Sequence, residues 1–235
     1  MSVFVVIPTY NERENISRLI HSIAAFRIPG LKMLVVDDNS PDHTAKIVEE
    51  LEKKYPVSVF TRKEKNGLGV AYRDAFTKIT SGAFGPLPDY VLHMDADFSH
   101  DPKVIFSMLE EIKGADVVIG SRYVAGGSIL DWSFSRRILS YFANLYARFI
   151  LRLPYNDVTS GFRCYRTSVL EGLNFAQMSS VGYSFLVEML YRAHKTGVRI
   201  KEVPIVFTER RKGDSKLTFG VLWESFITII RLRIR

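Results

Sequence analysis

Short apolar runs rich in β-branched residues alternate with longer stretches of helical character through the first half of this chain of 235 residues. This alternation predicts strands joined by helices, and therefore an α/β fold built on a mostly parallel sheet with helices on both faces. The predicted strands are residues 3–7, 33–36, 57–61, 90–94 and 117–119, and the predicted helices are residues 12–26, 42–55, 69–79 and 102–113.

The second half of the chain, which starts near residue 121, has a different pattern. Its predicted elements are a long aromatic and basic helix, a loop, a second helix, a β-like stretch and a terminal amphipathic helix. Because 47% of the residues are hydrophobic, the chain can bury a substantial core, and we interpret it as one continuous domain. The predicted helices are residues 132–153, 183–195 and 217–235, and the β-like stretch is residues 199–207.

Two carboxylates, Asp95 and Asp97, stand at the end of the predicted strand at residues 90–94. In open α/β sheets ligands bind at the carboxyl ends of the strands, so this pair lies at the predicted binding edge. Carboxylate oxygens suit Mg²⁺ or Mn²⁺, which usually share their coordination shell with substrate phosphates. The alternative is an ordinary solvated turn, because Asp-x-Asp is common by chance.

Two other predicted strands end in similar polar segments. Tyr10 and Glu12 follow the first strand and offer a flat ring for a base and a carboxylate for ribose or base donors. Asp37 and Asp38 follow the second strand, and one of them could accept an imide N–H from uracil or guanine. Each segment also fits a simple helix start, capped by Asn11, Asp38 or Ser40. Parallel strands end at one edge, so we expect a single cleft lined by Tyr10, Glu12, Asp38, Asp95 and Asp97.

The net charge of +7 is concentrated in two segments. Residues 121–153 hold five arginines against one aspartate, and residues 199–235 hold nine basic residues against four acidic ones. Such clustering indicates an anionic partner, which could be nucleic acid, a phosphorylated ligand or a membrane surface.

The same two segments carry aromatic and aliphatic residues beside their arginines. Neither holds an uninterrupted apolar span of about 18 residues, the usual minimum for crossing a bilayer. Both fit amphipathic helices at a membrane interface, and the alternative for each is an ordinary helix packed on the core. In the terminal helix, Phe226, Ile229 and Ile230 are predicted to share the membrane-facing side, and three arginines follow them: Arg231, Arg233 and Arg235.

Six motifs occur in an order that resembles a known enzyme family. Residues 8–12, 36–42, 95–100 and 120–123 are similar to motifs of the inverting GT-A glycosyltransferases of family 2. Residues 157–163 and 210–216 narrow the resemblance to the polyprenyl-phosphate branch, the dolichol-phosphate mannose synthases. The resemblance covers about residues 3 to 220. It implies a Rossmann-like GT-A fold that transfers mannose from GDP-mannose to dolichyl or other polyprenyl phosphate, with inversion to a β-linked product.

The resemblance also implies a division of the chain. Residues 1–220 would form the catalytic domain, with a nucleotide-sugar half at 1–120 and an acceptor half at 121–220. Residues 221–235 would be an amphipathic segment that associates with a membrane or a partner.

Individual roles follow only where residues match the family motifs. Mg²⁺ or Mn²⁺ is the implied cofactor, and Asp97, Arg122 and Arg136 are the implied catalytic residues. Some relatives carry a glutamine near the metal where this chain has Ser99. The nucleotide sugar would contact Pro8, Tyr10, Glu12, Val36, Asp38, Asp95, Ala96, Asp97, Arg210 and Lys216; the acceptor phosphate would contact Arg122, Arg136 and Ser140; and the metal would be held by Asp95, Asp97 and Ser99.

The expected location is the cytosolic face of a membrane, with peripheral attachment. The lone cysteine, Cys164, permits no internal disulfide, and the amino terminus lacks the pattern of a secretory signal. Many members of the family carry transmembrane helices that this sequence lacks, so a small anchoring subunit is a candidate partner. Two alternatives stay open: a polyprenyl-phosphate transferase that uses UDP-glucose or another UDP-sugar, and a basic nucleic-acid-binding protein. No nucleic-acid-binding motif occurs, and we expect no nucleic-acid partner.

Overall fold

A seven-stranded sheet forms the centre of the fold in the computed structural model, which describes residues 1–182, 184–209 and 219–234. The strand order is β3-β2-β1-β4-β7-β5-β8, and every strand except β7 runs parallel to the others. This arrangement confirms the predicted α/β class. The strands of this sheet are β1 Val3–Thr9, β2 Leu31–Asp37, β3 Val57–Thr61, β4 Tyr90–His93, β5 Val117–Ser121, β7 Arg163–Arg166 and β8 Ile200–Pro204; β6 Ser128–Ile129 and β9 Val206–Phe207 form a separate parallel pair.

Helices cover both faces of the sheet, as the sequence pattern predicts. Successive side chains of β1 point to opposite faces, so Val5 and Ile7 pack with one set of helices, and Phe4 and Val6 pack with the other. The helices are α1 Arg13–Ala24, α2 Thr44–Leu51, α3 Leu68–Thr80, α4 Val104–Glu111, α5 Phe134–Leu151, α6 Thr167–Gly172, α7 Ser184–Lys195 and α8 Phe219–Ile234. Residues of α1, α2 and α4 contribute to the first cluster, and residues of α3, α6 and α7 to the second.

Strand β7 corrects the prediction of a loop between the long helix and α7. It lies between β4 and β5 and runs antiparallel to both. The sequence Arg163-Cys164-Tyr165-Arg166 does not read as a buried strand, because arginines are rarely buried. Arg163 is nevertheless fully buried, since its guanidinium donates hydrogen bonds to the backbone carbonyls of Val158 and Leu186.

Helix α2 is shorter than predicted at both ends. It begins at Thr44 because Asp42 accepts hydrogen bonds from the Thr44 backbone and side chain, at 3.0 and 2.6 Å. The predicted β-like stretch at 199–207 is two strands, β8 and β9, which belong to different sheets.

The terminal helix α8 packs beside α5 and α7, and Ile229 and Leu232 are buried there. The prediction that Phe226, Ile229 and Ile230 face a membrane together is therefore wrong for Ile229. Phe226 and Ile230 lie about 40° apart around a helix, whereas Ile229 turns about 60° away from Phe226 toward the core. Among the helices that the structure describes, none has the length and hydropathy needed to cross a bilayer.

Candidate active site

The carboxyl ends of β2, β1 and β4 lie side by side at one edge of the sheet. Thr9 at the end of β1 pairs with Asp37 at the end of β2, and the Asp38 N–H donates to the Thr9 carbonyl at 3.1 Å. Pro8 and Val36 are opposite each other in the same register. The segments after these three strands carry most of the predicted nucleotide and metal residues, and the fold brings them together.

The two aspartates after β2 have different roles in the structure. Asp37 accepts hydrogen bonds from the Thr9 hydroxyl at 2.8 Å, and from the Ser40 hydroxyl and N–H at 2.6 and 2.8 Å. Ser40 in turn accepts from the Asn11 N–H at 3.0 Å. Asp37 therefore ties the turn after β1 to the turn after β2, which leaves Asp38 as the carboxylate at the site.

Asp38 forms a buried ion pair with Arg62, a residue that the sequence reasoning missed. Arg62 follows β3, and its Nη1 lies 2.5 Å from Asp38 Oδ1, while its Nε donates to Asp74 at 3.0 Å. Burial raises the pKa of Asp38 above its usual value, although the hydrogen bond and charge of Arg62 oppose this shift. The position of Arg62 in the sequence could have indicated that it belongs to the site. It directly follows β3, which is the neighbour of β2, so it lies at the same edge of the sheet.

A lysine covers the ring that was predicted to receive the base. The Lys65 ammonium lies 3.7 Å from the centroid of the Tyr10 ring, a cation–π arrangement. Glu12 lies at the start of α1, where its carboxylate accepts a hydrogen bond from the Asn15 side chain at 2.9 Å. One face of the Tyr10 ring is therefore in contact with the positive charge of Lys65.

The segment after β4 forms a tight turn that orients its polar groups. Asp97 Oδ1 accepts the Ser99 N–H at 3.0 Å, and Phe98 between them has a positive φ of 62°. The Asp95 N–H donates to His100 Nδ1 at 3.1 Å, which places the proton of a neutral His100 on Nε2. The turn thus fixes Asp95, Ala96 and Asp97 at the sheet edge.

The oxygen donors of this turn fit a hard divalent cation. Asp95 and Asp97 supply carboxylates, and the Ser99 hydroxyl is buried with no hydrogen-bond partner among the described residues. A buried hydroxyl of this kind needs a partner, and a cation or its water could serve as one. Within the described parts of the chain, no three His, Cys, Asp or Glu side chains form a cluster that could hold a metal by themselves.

Arg122 is held in a buried, bidentate ion pair with Asp157. Its Nε and Nη2 donate to the two carboxylate oxygens at 2.7 and 2.8 Å, and Nη2 also donates to Thr159 at 2.7 Å. Burial works to lower the pKa of the Arg122 guanidinium, but the Asp157 charge and hydrogen bonds outweigh it and raise that pKa. Burial likewise works to raise the pKa of Asp157, and Arg122 outweighs this effect and lowers it. The predicted contact of Arg122 with an acceptor phosphate stays a prediction.

The loop that carries Asp157 passes beside the turn after β4, where the metal ligands are predicted. A Cβ at Gly161 would lie 3.7 Å from Asp95 Oδ1, so this loop forms one wall of the site. Glu202 holds the start of the loop by accepting the Asn156 and Asp157 N–H groups at 2.8 and 2.9 Å. Asp157 belongs to one of the motifs that carry the family resemblance, but the sequence did not indicate its partner.

Two of the predicted acceptor residues, Arg136 and Ser140, lie on the first two turns of α5. The Arg136 guanidinium lies over the Trp132 ring at 4.2 Å, and its Nη1 is 2.6 Å from Glu209 Oε1. Ser140 Oγ lies 3.1 Å from the hydroxyl of Tyr123, the neighbour of Arg122. The fold thus brings Arg122, Arg136 and Ser140 toward one side of the site. Two further predicted residues, Arg210 and Lys216, lie outside the described residues.

A cavity of about 370 Å³ lies between the turn after β4, the start of α1 and the segment that follows β9. Asp97 and Phe98 line it from one side, and Thr208 and Glu209 line it from the other. Thr208 also donates its N–H to the Ser99 carbonyl at 3.3 Å. Glu209, the ion-pair partner of Arg136, therefore borders the same cavity as Asp97.

Residues 4–173 match the family described as Glycosyl transferase family 2. The polyprenol monophosphomannose synthase of Mycolicibacterium smegmatis is 40% identical over 234 residues, which cover 98% of this chain and 86% of that protein. The undecaprenyl-phosphate mannosyltransferase of Micrococcus luteus is 38% identical, with 98% of this chain and 93% of that protein covered. The dolichol-phosphate mannosyltransferase of Pyrococcus furiosus is also 38% identical, with 99% and 64% covered.

Solved structures show the same fold at lower sequence identity. Glucosyl-3-phosphoglycerate synthase from Mycobacterium tuberculosis, in complex with Mn²⁺, UDP and glucosyl-3-phosphoglycerate, has a TM-score of 0.70 at 18% identity, covering 99% of this chain and 79% of that one. S. aureus TarS in complex with UDP-GlcNAc has a TM-score of 0.65 at 22% identity, covering 99% and 65%. These likenesses confirm the predicted GT-A fold.

Proposed function

This chain belongs to glycosyltransferase family 2, and from that membership we propose that it transfers a mannosyl group from GDP-mannose to a polyprenyl phosphate. The observation that carries the proposal is the identity of 38–40% with three proteins named for this kind of transfer, over nearly the full length of this chain. The product would be a β-linked polyprenyl-phosphate mannose, formed from an α-linked donor by inversion.

The donor nucleotide would bind across the ends of β1, β2 and β4. Tyr10 would stack on the base once Lys65 moves from its ring, and Asp38 would accept base N–H groups while Arg62 holds its carboxylate in place. The remaining nucleotide contacts would come from Pro8, Glu12, Val36 and Ala96 in the same three segments, and from Arg210 and Lys216.

The residues that would hold the divalent cation are Asp95, Asp97 and Ser99. When bound, Mg²⁺ or Mn²⁺ supplies positive charge that stabilises a departing diphosphate. Asp97 would serve as a direct ligand, and its hydrogen bond from the Ser99 N–H already orients the carboxylate.

The acceptor supplies its own nucleophile, because a phosphate monoester oxygen is anionic at neutral pH. Such an oxygen needs no strong general base, so the protein has to offset repulsion between two phosphate-bearing substrates. Arg122, Arg136 and Ser140 would bind the acceptor phosphate, and attack on the sugar C1 from the face opposite the leaving GDP inverts the anomeric centre. Asp157 would keep Arg122 in position for this contact.

The acceptor half, residues 121–220, would work at a membrane surface, where a polyprenyl chain resides. Helix α5 exposes a row of apolar side chains. Most of them are three or four residues apart, which is about one helical turn, so they lie on the same side of the helix. Phe134 and Phe149 are both 79% exposed, and Phe142 is 59% exposed. We place this face against the cytosolic surface of the membrane, with residues 221–235 beside it. The row consists of Phe134, Ile138, Tyr141, Phe142, Leu145 and Phe149.

The alternatives are less well supported. Transfer from a UDP-sugar and binding of nucleic acid are both disfavoured, because the relatives at 38–40% identity are named for mannosyl transfer to polyprenyl phosphates. The structures solved with UDP or UDP-GlcNAc are only 18–22% identical to this chain, and they bear on the fold alone.

Radiolabelled sugar transfer into butanol-extractable lipid tests the proposal. The purified chain would be incubated with polyprenyl phosphate, a divalent cation and, in separate reactions, labelled GDP-mannose, UDP-glucose and UDP-GlcNAc. Label should enter the lipid from GDP-mannose. Labelling from a UDP-sugar alone, or from none of the donors, would contradict the proposal.

A further inference from the structure

The acceptor arginine already has an anionic partner within the chain. Arg136 Nη1 lies 2.6 Å from Glu209 Oε1, and the two side chains are 31% and 40% exposed. The guanidinium also lies over the Trp132 ring at 4.2 Å, which limits its freedom to turn away. Glu209 therefore occupies a hydrogen-bonding position of Arg136 that the proposed function assigns to a phosphate.

Carboxylate and phosphate oxygens compete for the same edge of a guanidinium group, because both match its planar array of N–H donors. A phosphate monoester carries about −1.5 to −2 charges at neutral pH, whereas a glutamate carries one. The acceptor phosphate is thus the stronger partner once it is close, while a weak or transient anion would not displace the carboxylate as readily.

We propose that Glu209 is an internal stand-in for the acceptor phosphate: it pairs with Arg136 in the unliganded enzyme and is displaced when the acceptor binds. This inference rests on the proposed function, because it takes Arg136 as an acceptor ligand. Because it competes for Arg136, Glu209 lowers the affinity of the enzyme for the acceptor. It also keeps the partly buried Arg136 paired, and it makes the site select a phosphate over a ligand with a single negative charge.

The segment that carries Glu209 also contacts the turn where the metal ligands are predicted. Glu209 follows Thr208, whose N–H donates to the Ser99 carbonyl in that turn. Phe207, the residue before Thr208, packs against both His100 and Trp132, with ring centroids 5.3 Å apart in each case. Acceptor binding at Arg136 therefore acts on a short segment that is in contact with the predicted metal ligands.

Glu209→Gln tests the stand-in, because the amide keeps the shape and removes the charge. The KM for a short polyprenyl phosphate should fall by about twofold to fivefold, which corresponds to about 0.4–1 kcal/mol and lies within the range of an exposed ion pair. Glu111→Gln is the matched control: Glu111 pairs with Lys201 at 2.8 Å, is similarly exposed and lies outside the site. This control should leave the KM unchanged.

Arg136→Ala separates the failure of this inference from the failure of the proposed function. Arg136→Ala should raise the acceptor KM, and adding Glu209→Gln to it should have no further effect, because the pair is already broken. If Arg136→Ala leaves the acceptor KM unchanged, then the proposed acceptor site is wrong and the inference falls with it. If Arg136→Ala raises the KM but Glu209→Gln shifts it no more than Glu111→Gln does, then only the stand-in is wrong.

Trp132 provides a readout that does not depend on turnover. Titration of the protein with inorganic phosphate should change its tryptophan fluorescence, because the charge above the Trp132 ring changes partner. The midpoint should fall by about twofold to fivefold in Glu209→Gln, and the signal should vanish in Trp132→Phe. An unchanged midpoint in Glu209→Gln, with the signal still lost in Trp132→Phe, would overturn the inference.

Discussion

At the scale of single residues, the structure separates carboxylates that hold the site together from those that face a ligand. Asp37 and Asp157 are fully engaged by neighbouring side chains and backbone groups. Asp95 and Asp97 belong to a turn at the sheet edge beside a cavity. The first group therefore stabilises the fold, and the second group is the pair that we propose as ligands of the cation.

Asp157→Asn should destabilise the fold, because Arg122 would be left buried without its counter-ion. Removal of one partner of a buried ion pair costs about 3–5 kcal/mol, which urea unfolding can measure. Glu110→Gln is the control, since Glu110 and its partner Lys113 are both mostly exposed and the change should cost about 1 kcal/mol or less. Similar losses for the two variants would contradict the structural role of Asp157.

The same pair predicts the sign of a pH effect. Because folding lowers the pKa of Asp157, its stabilising contribution is present above the unfolded pKa of about 4 and is lost as the pH falls toward the folded value. The free energy of unfolding of the native chain should therefore drop below about pH 4 more steeply than that of Asp157→Asn. If the free energies of unfolding of the two proteins changed with pH in the same way, the Asp157–Arg122 pair would not be the cause of the pH effect.

Asp97→Asn should abolish transfer and weaken metal-dependent GDP binding. The amide keeps the shape of the side chain but removes one of the two carboxylate charges that we propose as ligands of the cation. Ser99→Ala should cause a smaller loss, because a hydroxyl is a weaker ligand than a carboxylate. Isothermal titration with GDP, with and without Mn²⁺, measures both variants, and native-like transfer by Asp97→Asn would remove the metal role from this residue.

At the scale of secondary-structure elements, the first half of the fold could be predicted because β1, β2 and β4 are mostly apolar runs that are largely buried. Strand β7 could not, because Arg163 and Arg166 mark a polar segment and only the three-dimensional structure shows which carbonyls satisfy a buried arginine. The candidate site shows the same contrast between features that the local sequence indicates and partners that only the three-dimensional structure shows. The ends of the predicted strands indicate Tyr10, Asp38 and the turn after β4 as candidates, whereas the partners of the candidate site residues come from segments distant in sequence: Arg62, Lys65, Asp157 and Glu209.

Helix α5 is the element that should bind membranes. Changing Phe142 and Phe149 together to glutamate should reduce co-sedimentation with anionic liposomes by about tenfold or more, because each exposed aromatic adds roughly 1.5 kcal/mol or more when it leaves water. These positions are preferable to a deletion of α8, since Ile229 and Leu232 of that helix are buried in the core. Phe106→Glu on α4 is the control, because Phe106 is 48% exposed but lies on another helix. Equal loss in the control, or no loss in the double variant, would rule out α5 as the membrane-binding face.

At the scale of the whole molecule, we propose that the first half of the chain binds the nucleotide and that the second half binds the acceptor. Asp38→Ala should weaken GDP binding, and Arg136→Ala should raise the KM for lipid phosphate while GDP affinity stays largely intact. Loss of a charge-assisted contact typically costs ~1.5–3 kcal/mol, or roughly tenfold to over a hundredfold in the affected constant. If Arg136→Ala weakened GDP binding as much as Asp38→Ala, the division into halves would be wrong.

The central claim, mannosyl transfer from GDP-mannose to a polyprenyl phosphate, is tested most directly by a competition between donors in one reaction. The native chain would receive equal concentrations of GDP-[³H]mannose and UDP-[¹⁴C]glucose, with polyprenyl phosphate and Mn²⁺, and both labels would be counted in the butanol phase. Tritium should enter the lipid in large excess over ¹⁴C, and Asp97→Asn should incorporate neither label. A lipid product labelled mainly with ¹⁴C, or tritium incorporation that survives Asp97→Asn, would contradict this claim.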